Sequence, residues 1–434
     1  MGAGAIGIDF GTTNTVAALA DASGAARLAK FAHEAGTAAA FRSALSFHAP
    51  PEDPNGRVAE AGPWAIDAYL EEPRETRFIQ SFKTYAASPL FIDTHVLGRR
   101  FAFEDLLSTF LLRLIAHGGA DLADLPPRLI VGRPVNFAGQ RPDPDLALAR
   151  YERAFRRLGF SDIRYAYEPV AAAFFFARQL KADATVMVAD FGGGTSDFSL
   201  VRFWREGGRV RAKALANAGA PVAGDAFDYR IVDHLVSPEL GKGTSYRAFD
   251  HVLPIPARYY AAFARWEQLA LLRASRDMRD IRGLVRTALE PEKIARLVAI
   301  LDRNHGYRLY QSVSLLKEAL STEPEARFVF KAEGVAIEKD VRRAAFEGWI
   351  APELAAIGAA ADEALAKAGL HPETVDKVFL TGGSSFVPAV RRLFETRFGP
   401  EKLESGGELV SIATGLALIG AETDADQWAE PAPA

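Results

Sequence analysis

The chain has 434 residues, 49 % of them hydrophobic and 24 % charged, with a net charge of -4 and no cysteine. That length accommodates two or three domain-sized units, each with its own core. The charge balance offers no global field to nucleic acid or an acidic membrane, and the lack of cysteine excludes disulfides, thiolate nucleophiles and cysteine-bound metals.

Met1 to Ile8 lacks the basic start of a secretory leader, and Asp9 interrupts its apolar stretch too early. Gly2 is followed by Ile6 where a myristoylation site needs Ser or Thr. The longest nearly apolar run, Val170–Ala177, is far shorter than the ~18 residues of a membrane span. A cytoplasmic protein without membrane or nucleic-acid partners is expected.

Ala5–Phe10 and Val16–Leu19 are predicted strands around a tight turn. Phe103–His117 is a predicted amphipathic helix, Arg128–Gly132 a short buried strand, and Leu146–Leu158 a helix ending at Gly159. Strands follow at Thr185–Asp190 and Asp197–Phe203, joined by a glycine turn. Helical, arginine-bearing segments at Ala270–Leu289 and Pro291–Leu301 suggest a helical subdomain over Pro238 to about Arg308. Lys339–Lys367 carries a long helical pattern ending at Gly369. Strand Lys377–Thr381 then runs through Gly382-Gly383 into helix Val387–Arg397. The acidic, proline- and alanine-rich end, Glu422–Ala434, is expected to be disordered. This mixture argues an α/β architecture.

The chain also echoes itself. Ala5-Ile-Gly-Ile-Asp9-Phe-Gly-Thr-Thr-Asn14 resembles Val186-Met-Val-Ala-Asp190-Phe-Gly-Gly-Gly-Thr195-Ser-Asp197. Each is an apolar strand, Asp-Phe-Gly, a glycine or threonine turn, and a second apolar strand. Their separation is the size of a domain. Two facing lobes follow: residues 1–184 with an inserted subdomain at about 37–126, and residues 185–421 with an inserted helical subdomain at about 230–345.

Small residues in such a turn point successive backbone N–H groups at one spot, a nest for a phosphate oxygen. In the first copy these are Gly11, Thr12, Thr13 and Asn14. Asp9 beside them cannot approach phosphate itself, but it can hold a hydrated Mg²⁺, which takes few protein ligands. A plain hairpin turn also favours Asp and Gly. The second copy, with Asp190, Gly192, Gly193, Gly194, Thr195 and Asp197, has more backbone freedom than a hairpin requires, which favours the phosphate reading. Neither copy is a Walker loop, since Gly241-Lys242-Gly243-Thr244 lacks the upstream glycine and the following hydroxyl and reads as a flexible loop. Asp190-Phe191-Gly192 has no kinase His-Arg-Asp loop to accompany it. A third glycine element, Phe379-Leu380-Thr381-Gly382-Gly383-Ser384-Ser385, is either a strand-to-helix connection or, with the other two, a nucleoside site. Glu168-Pro169-Val170-Ala171-Ala172-Ala173 opens a helix whose alanines suit close helix packing. Glu168 is either a first-turn acid or a group orienting an attacking water.

These motifs, in this order, resemble the nucleotide-binding domain of the heat shock protein 70 (DnaK) family, over about residues 5–421. The phrase Val131-Gly-Arg-Pro-Val-Asn-Phe137 and the helical insertion look more like its YegD-like branch. The resemblance implies an actin-like ATPase (ribonuclease H-like) fold that binds ATP or ADP with Mg²⁺. By the family's pattern Asp9, Asp190 and Asp197 organise the metal and water. Thr12, Thr13 and Thr195 offer phosphate-binding hydroxyls, Glu168 lies near the attacking water, and Lys83 in Phe82-Lys83-Thr84 matches the catalytic lysine. Gly224-Asp225 resembles a second-lobe segment of the family, with Ala223 in place of a glycine. Lys317 and Ser321 match an adenosine-contacting helix, and Gly382, Gly383 and Ser384 match its loop partner. The family's glutamate before that lysine is Ser314 here, its arginine beside the adenine is Glu318, and the arginine after the loop is Phe386, whose ring can stack on adenine instead. An aspartate near the domain's end appears as Leu409. The chain stops about where the family's peptide-binding domain would begin, so a chaperone-related switch without that domain is expected. Two other readings share the superfold: a small-molecule kinase, and a non-catalytic actin-like scaffold.

Overall fold

Ala5–Phe10 (β1) is buried at every position except Asp9, which is partly exposed. It pairs antiparallel with Asn14–Ala20 (β2), which pairs antiparallel with Ala26–Leu28 (β3). On its other side β1 lies parallel to Arg128–Arg133 (β4), and β4 lies parallel to Asp162–Tyr167 (β5). The computed structural model describes residues 4–431, apart from 35, 51, 54–55, 74, 139–140, 178–181, 207–208, 265–267, 270–271, 274, 405–406, 408–409 and 424.

The same pattern recurs in the second lobe. Ala184–Phe191 (β6) is antiparallel to Ser196–Glu206 (β7), and β7 to Arg209–Ala220 (β8). Lys377–Thr381 (β9) and Leu403–Glu404 (β10) continue from β6 in parallel. The five strands named in each sheet therefore run third, second, first, fourth, fifth in their chain order, and in the first sheet Ala40–Arg42 also pairs with β2. The internal echo is a duplicated fold, and each parallel step is bridged by helical chain.

Phe103–His117 (α1) and Pro144–Arg157 (α2) cover one face of the first sheet, with Phe10, Phe110 and Tyr151 in the core between them. Glu168–Ala177 (α3) and Ser411–Ala421 (α4) join the lobes through a second core that takes Val16 and Ile130 from one sheet and Val186 and Phe379 from the other. Their small residues permit near-contact of backbones. A Cβ on Gly415 would lie 1.9 Å from the Ala171 carbonyl oxygen, and one on Gly7 would lie 2.3 Å from the Ala417 nitrogen.

Three expectations need correction. The inserted segment of the second lobe is not purely helical. Helices at Asp277–Leu284, Pro291–Asp302 and Gly306–Thr322 are accompanied by hairpins Ser245–Ala248 with His251–Pro254 and Glu325–Ala332 with Val335–Arg342. In the latter, Phe328, Phe330, Val335 and Ile337 are buried at every second position, the strand period rather than the helical one. Lys339–Lys367 is accordingly not one helix. Its start closes that hairpin, Arg343–Trp349 forms a short helix, and Pro352 begins a new one at Ala351–Ala368.

The third correction concerns the end of the chain. Within Glu422–Ala434, residues 425–431 are ordered. Ala429 is buried, and Trp428 meets Phe174 edge-on at 4.8 Å. Tyr165 and Glu430 exchange backbone hydrogen bonds at 2.7 and 3.0 Å, and Arg164 pairs with Asp426. One tryptophan with a strand edge to pair against outweighs a polar composition. Trp428→Ala is expected to lower stability by about 2 kcal/mol in a denaturant titration, whereas an unmoved midpoint would mean that the segment contributes nothing.

Candidate functional site: a cleft between two glycine turns

The two glycine turns close in the same way. Gly11 donates to the Asn14 carbonyl at 3.0 Å, and Gly192 donates to the Thr195 carbonyl at 2.9 Å. A Cβ on Gly11 would lie 2.3 Å from that Asn14 oxygen, so no side chain fits there. Ser43 braces the first turn, its hydroxyl donating to the Gly11 carbonyl at 2.7 Å and its amide to that of Thr13 at 2.9 Å. Asn14 accepts from Arg42 at 3.5 Å.

The turns face one another. A Cβ on Gly193 would lie 2.7 Å from the Thr13 hydroxyl and 3.2 Å from an Asp225 carboxylate oxygen, so three segments from two lobes meet there. Gly194 and Gly383 would each point a Cβ into open space. The Asp225 amide donates to the Gly193 carbonyl at 2.8 Å, which fixes the start of helix Gly224–Ile231 against the second turn.

Lys83 reaches the cleft from a short 3-10 turn, Phe82–Tyr85, preceded by Ser81 in the left-handed region at φ 55°. Buried Phe82 anchors that turn 5.3 Å from the Phe10 ring. Arg150 pins the following chain, donating to the carbonyls of Tyr85, Ala86, Ser88 and Phe91 at 3.0, 2.8, 3.1 and 2.5 Å. The Lys83 ammonium donates to Glu168 Oε1 at 2.8 Å, with side chains 11 % and 10 % exposed. Glu168, the first residue of α3, also lies over Gly132, where a Cβ would be 3.2 Å from its Cγ. The sequence proposed both residues but not their pairing.

Asp190 accepts from the Thr381 hydroxyl at 2.9 Å, and Asp197 accepts from that of Thr195 at 3.0 Å. Thr381 is therefore a site residue that the sequence reading placed only in a nucleoside loop; the parallel pairing of β6 with β9, Asp190 opposite Thr381, decides its role. Enclosure in the cleft pushes Asp9 up to about 8, with Glu168 and Asp190 adding to the rise and Lys83 opposing it. Enclosure and Glu168 raise Asp190 to about 6. Enclosure and Asp190 raise Asp197 to about 7. Burial acts to lower Lys83, but Glu168, Tyr151 and Asp9 outweigh it and hold the ammonium well above its usual range. Carboxylates that resist ionisation together form a natural receptor for a cation. Among the described residues no group of three or more His, Cys, Asp or Glu side chains is placed to hold a metal ion by itself.

Beside the second turn, Lys317 forms an ion pair with Asp228 at 2.7 Å, and a Cβ on Gly224 would lie 3.7 Å from the Gly192 carbonyl oxygen. A Cβ on Gly224 would lie 3.0 Å from the Ser384 hydroxyl and 3.6 Å from the Lys317 ammonium, so this helix and the Gly382-Gly383-Ser384 loop converge. Gly382, at φ 81°, would place a Cβ 2.0 Å from the Phe191 carbonyl oxygen, so glycine is required there. Phe386 is 51 % exposed on the same turn. Ser321 uses its hydroxyl within its own helix, donating to the Lys317 carbonyl at 2.9 Å. Leu409 lies outside the described residues. Gly241-Lys242-Gly243-Thr244, expected as a flexible loop, is a closed turn with Gly241 at φ 97° and the Thr244 hydroxyl bonded to its carbonyl at 2.8 Å.

Comparison with known proteins places these elements in a family context. The family model described as Hsp70 protein matches residues 149–245 and 293–426. The chain is 25 % identical to a chaperone protein DnaK of Thermus thermophilus over 422 residues, which is 95 % of this chain and 60 % of that protein. It is 25 % identical to the DnaK of Deinococcus deserti over 348 residues, 80 % of this chain and 47 % of that protein. To that of Deinococcus radiodurans it is 24 % identical over 323 residues, 74 % and 43 % respectively. The chain thus spans about 60 % or less of the length of these relatives. Among the described residues, no helix is long and apolar enough to cross a membrane.

Proposed function

The chain belongs to the Hsp70 family, whose model covers more than half of it, and from that premise we propose that it is an ATP-binding, slowly ATP-hydrolysing switch of a chaperone-related kind. The observation that carries this reading is the approach of Gly193 to Thr13 and Asp225 across one cleft, with Asp9, Asp190 and Asp197 around it. The nests at Gly11–Asn14 and Gly192–Thr195 hold phosphates from opposite lobes, with Thr12, Thr13 and Thr195 as hydroxyl donors. Asp9, Asp190 and Asp197 hold the Mg²⁺, which when bound neutralises polyphosphate charge. Glu168 orients the attacking water while the Lys83 ammonium stabilises charge developing on the transferred phosphoryl group. Lys317 and the Gly382–Ser384 loop enclose the nucleoside, and Phe386 stacks on its base. Because the nucleotide is gripped from both lobes, binding favours their closure, which is the switch output.

Thermal melting with ATP, ADP and GTP, each with and without Mg²⁺, tests this reading. ATP with Mg²⁺ at 100 times its dissociation constant is expected to add about 2.7 kcal/mol of stability, more than GTP adds at the same concentration. Melting that is indifferent to every nucleotide would remove the proposal.

A further inference from the structure

Tyr151 is a core residue whose ring is explained by packing and whose hydroxyl is not. The ring sits on α2 against Phe10 at 6.0 Å, Phe103 at 6.0 Å and Phe137 at 6.4 Å. Its exposure is 0 %, and its hydroxyl oxygen has no hydrogen-bond partner among the described protein atoms. A phenylalanine would fill this space equally well, and a buried hydroxyl without a partner is destabilising. Such a group needs a reason beyond packing.

Its surroundings supply one. Phe10 follows Asp9 in sequence, and its ring also lies 5.3 Å from that of Phe82, which precedes Lys83. The preceding residue on α2, Arg150, binds the carbonyls of Tyr85 and Ala86 just beyond Lys83. Lys83, Glu168 and Asp9 all act electrostatically on the phenol. The Lys83 ammonium has three donors, of which the Glu168 bond at 2.8 Å uses one. We propose that the Tyr151 hydroxyl, through one bridging water, holds a second donor of Lys83 and so aims the third at the phosphate being transferred. Such a water would take the Tyr151 hydroxyl and the Lys83 ammonium as its two polar partners, the minimum a buried water requires. Tyr151 is then a positioning residue that acts through Lys83. This inference rests on the ATPase reading above.

The test is single-turnover ATP hydrolysis by wild type, Tyr151→Phe, Lys83→Ala and the double variant, with ATP affinity and melting recorded for each. Tyr151→Phe is expected to slow hydrolysis about tenfold, the scale of one lost hydrogen bond to a charged group, with ATP affinity unchanged and a melting temperature no lower than wild type. In the Lys83→Ala background it is expected to cause no further loss. Wild-type hydrolysis with an unaffected Tyr151→Phe overturns this inference alone, and so does a further loss in the double variant or a parallel fall in melting temperature and affinity. Absence of hydrolysis in wild type overturns the ATPase reading and this inference with it.

Discussion

Lys83→Ala is expected to reduce ATP hydrolysis by about 10²–10³-fold while leaving ATP binding largely in place. The ammonium lies 2.8 Å from Glu168 and both side chains are almost fully buried, so removing it also leaves a buried carboxylate without its counter-charge. Asp9 and Asp190 belong to the same electrostatic group, and their mutual repulsion is no longer offset. Breaking a buried pair from one side destabilises by about 3–5 kcal/mol, and a loss of that order is expected in the nucleotide-free protein. The two effects separate in Lys83→Met combined with Glu168→Gln. Neutralising both partners should recover much of the stability, since no lone charge remains, but not the hydrolysis, since nothing stabilises the developing phosphoryl charge. Denaturant titration and single-turnover kinetics measure the two quantities independently. Wild-type hydrolysis in Lys83→Ala would take Lys83 out of the chemistry.

The second large effect concerns pH. Asp9, Asp190 and Asp197 stand at about 8, 6 and 7 in the folded chain, against 3.8 for an ordinary aspartate. Below pH 3.8 these carboxyls are protonated in both the folded and unfolded chain and do not alter stability. As pH rises above that value the unfolded chain releases these protons while the folded chain retains them. Stability therefore falls with rising pH until the folded values are passed. Asp9→Asn removes the largest of the three contributions. Without nucleotide or metal, it is expected to match wild type near pH 4 and to exceed it by about 5 kcal/mol at pH 8. With Mg²⁺ and ATP the order should reverse, because the carboxylate that repels its neighbours in the free protein is the one that attracts the cation. Denaturation at pH 4, 6 and 8, with and without Mg·ATP, gives both comparisons. A constant difference between variant and wild type across this range would show that Asp9 ionises freely.

Both experiments bear on how a site of this kind is built. Its carboxylates are poor neighbours for one another, and the fold tolerates them because a single buried ammonium and two threonine hydroxyls offset part of the repulsion. Positions that bind a charged ligand are commonly those where the free protein is least content.

Local chemistry was enough to read much of this from the sequence. Strands Ala5–Phe10 and Lys377–Thr381 and helix Phe103–His117 have the bounds expected from apolar runs and helical periodicity. The duplicated Asp-Phe-Gly hairpins were legible because a turn that folds back on its own backbone, as Gly11 does on the Asn14 carbonyl, admits few residue types. The same reasoning failed where a pattern was ambiguous or a contact was remote. Lys339–Arg342 reads as helix until Phe330 and Ile337 are seen as facing strands. The chain end reads as disorder until Trp428 finds Phe174. The pairing of Lys83 with Glu168, 85 positions apart, and of Asp190 with Thr381, 191 apart, left no mark in either neighbourhood. Propensity and turn chemistry act over a few residues and can be read along the chain, whereas charge pairing and packing act through space, and only folding decides which distant residues share it.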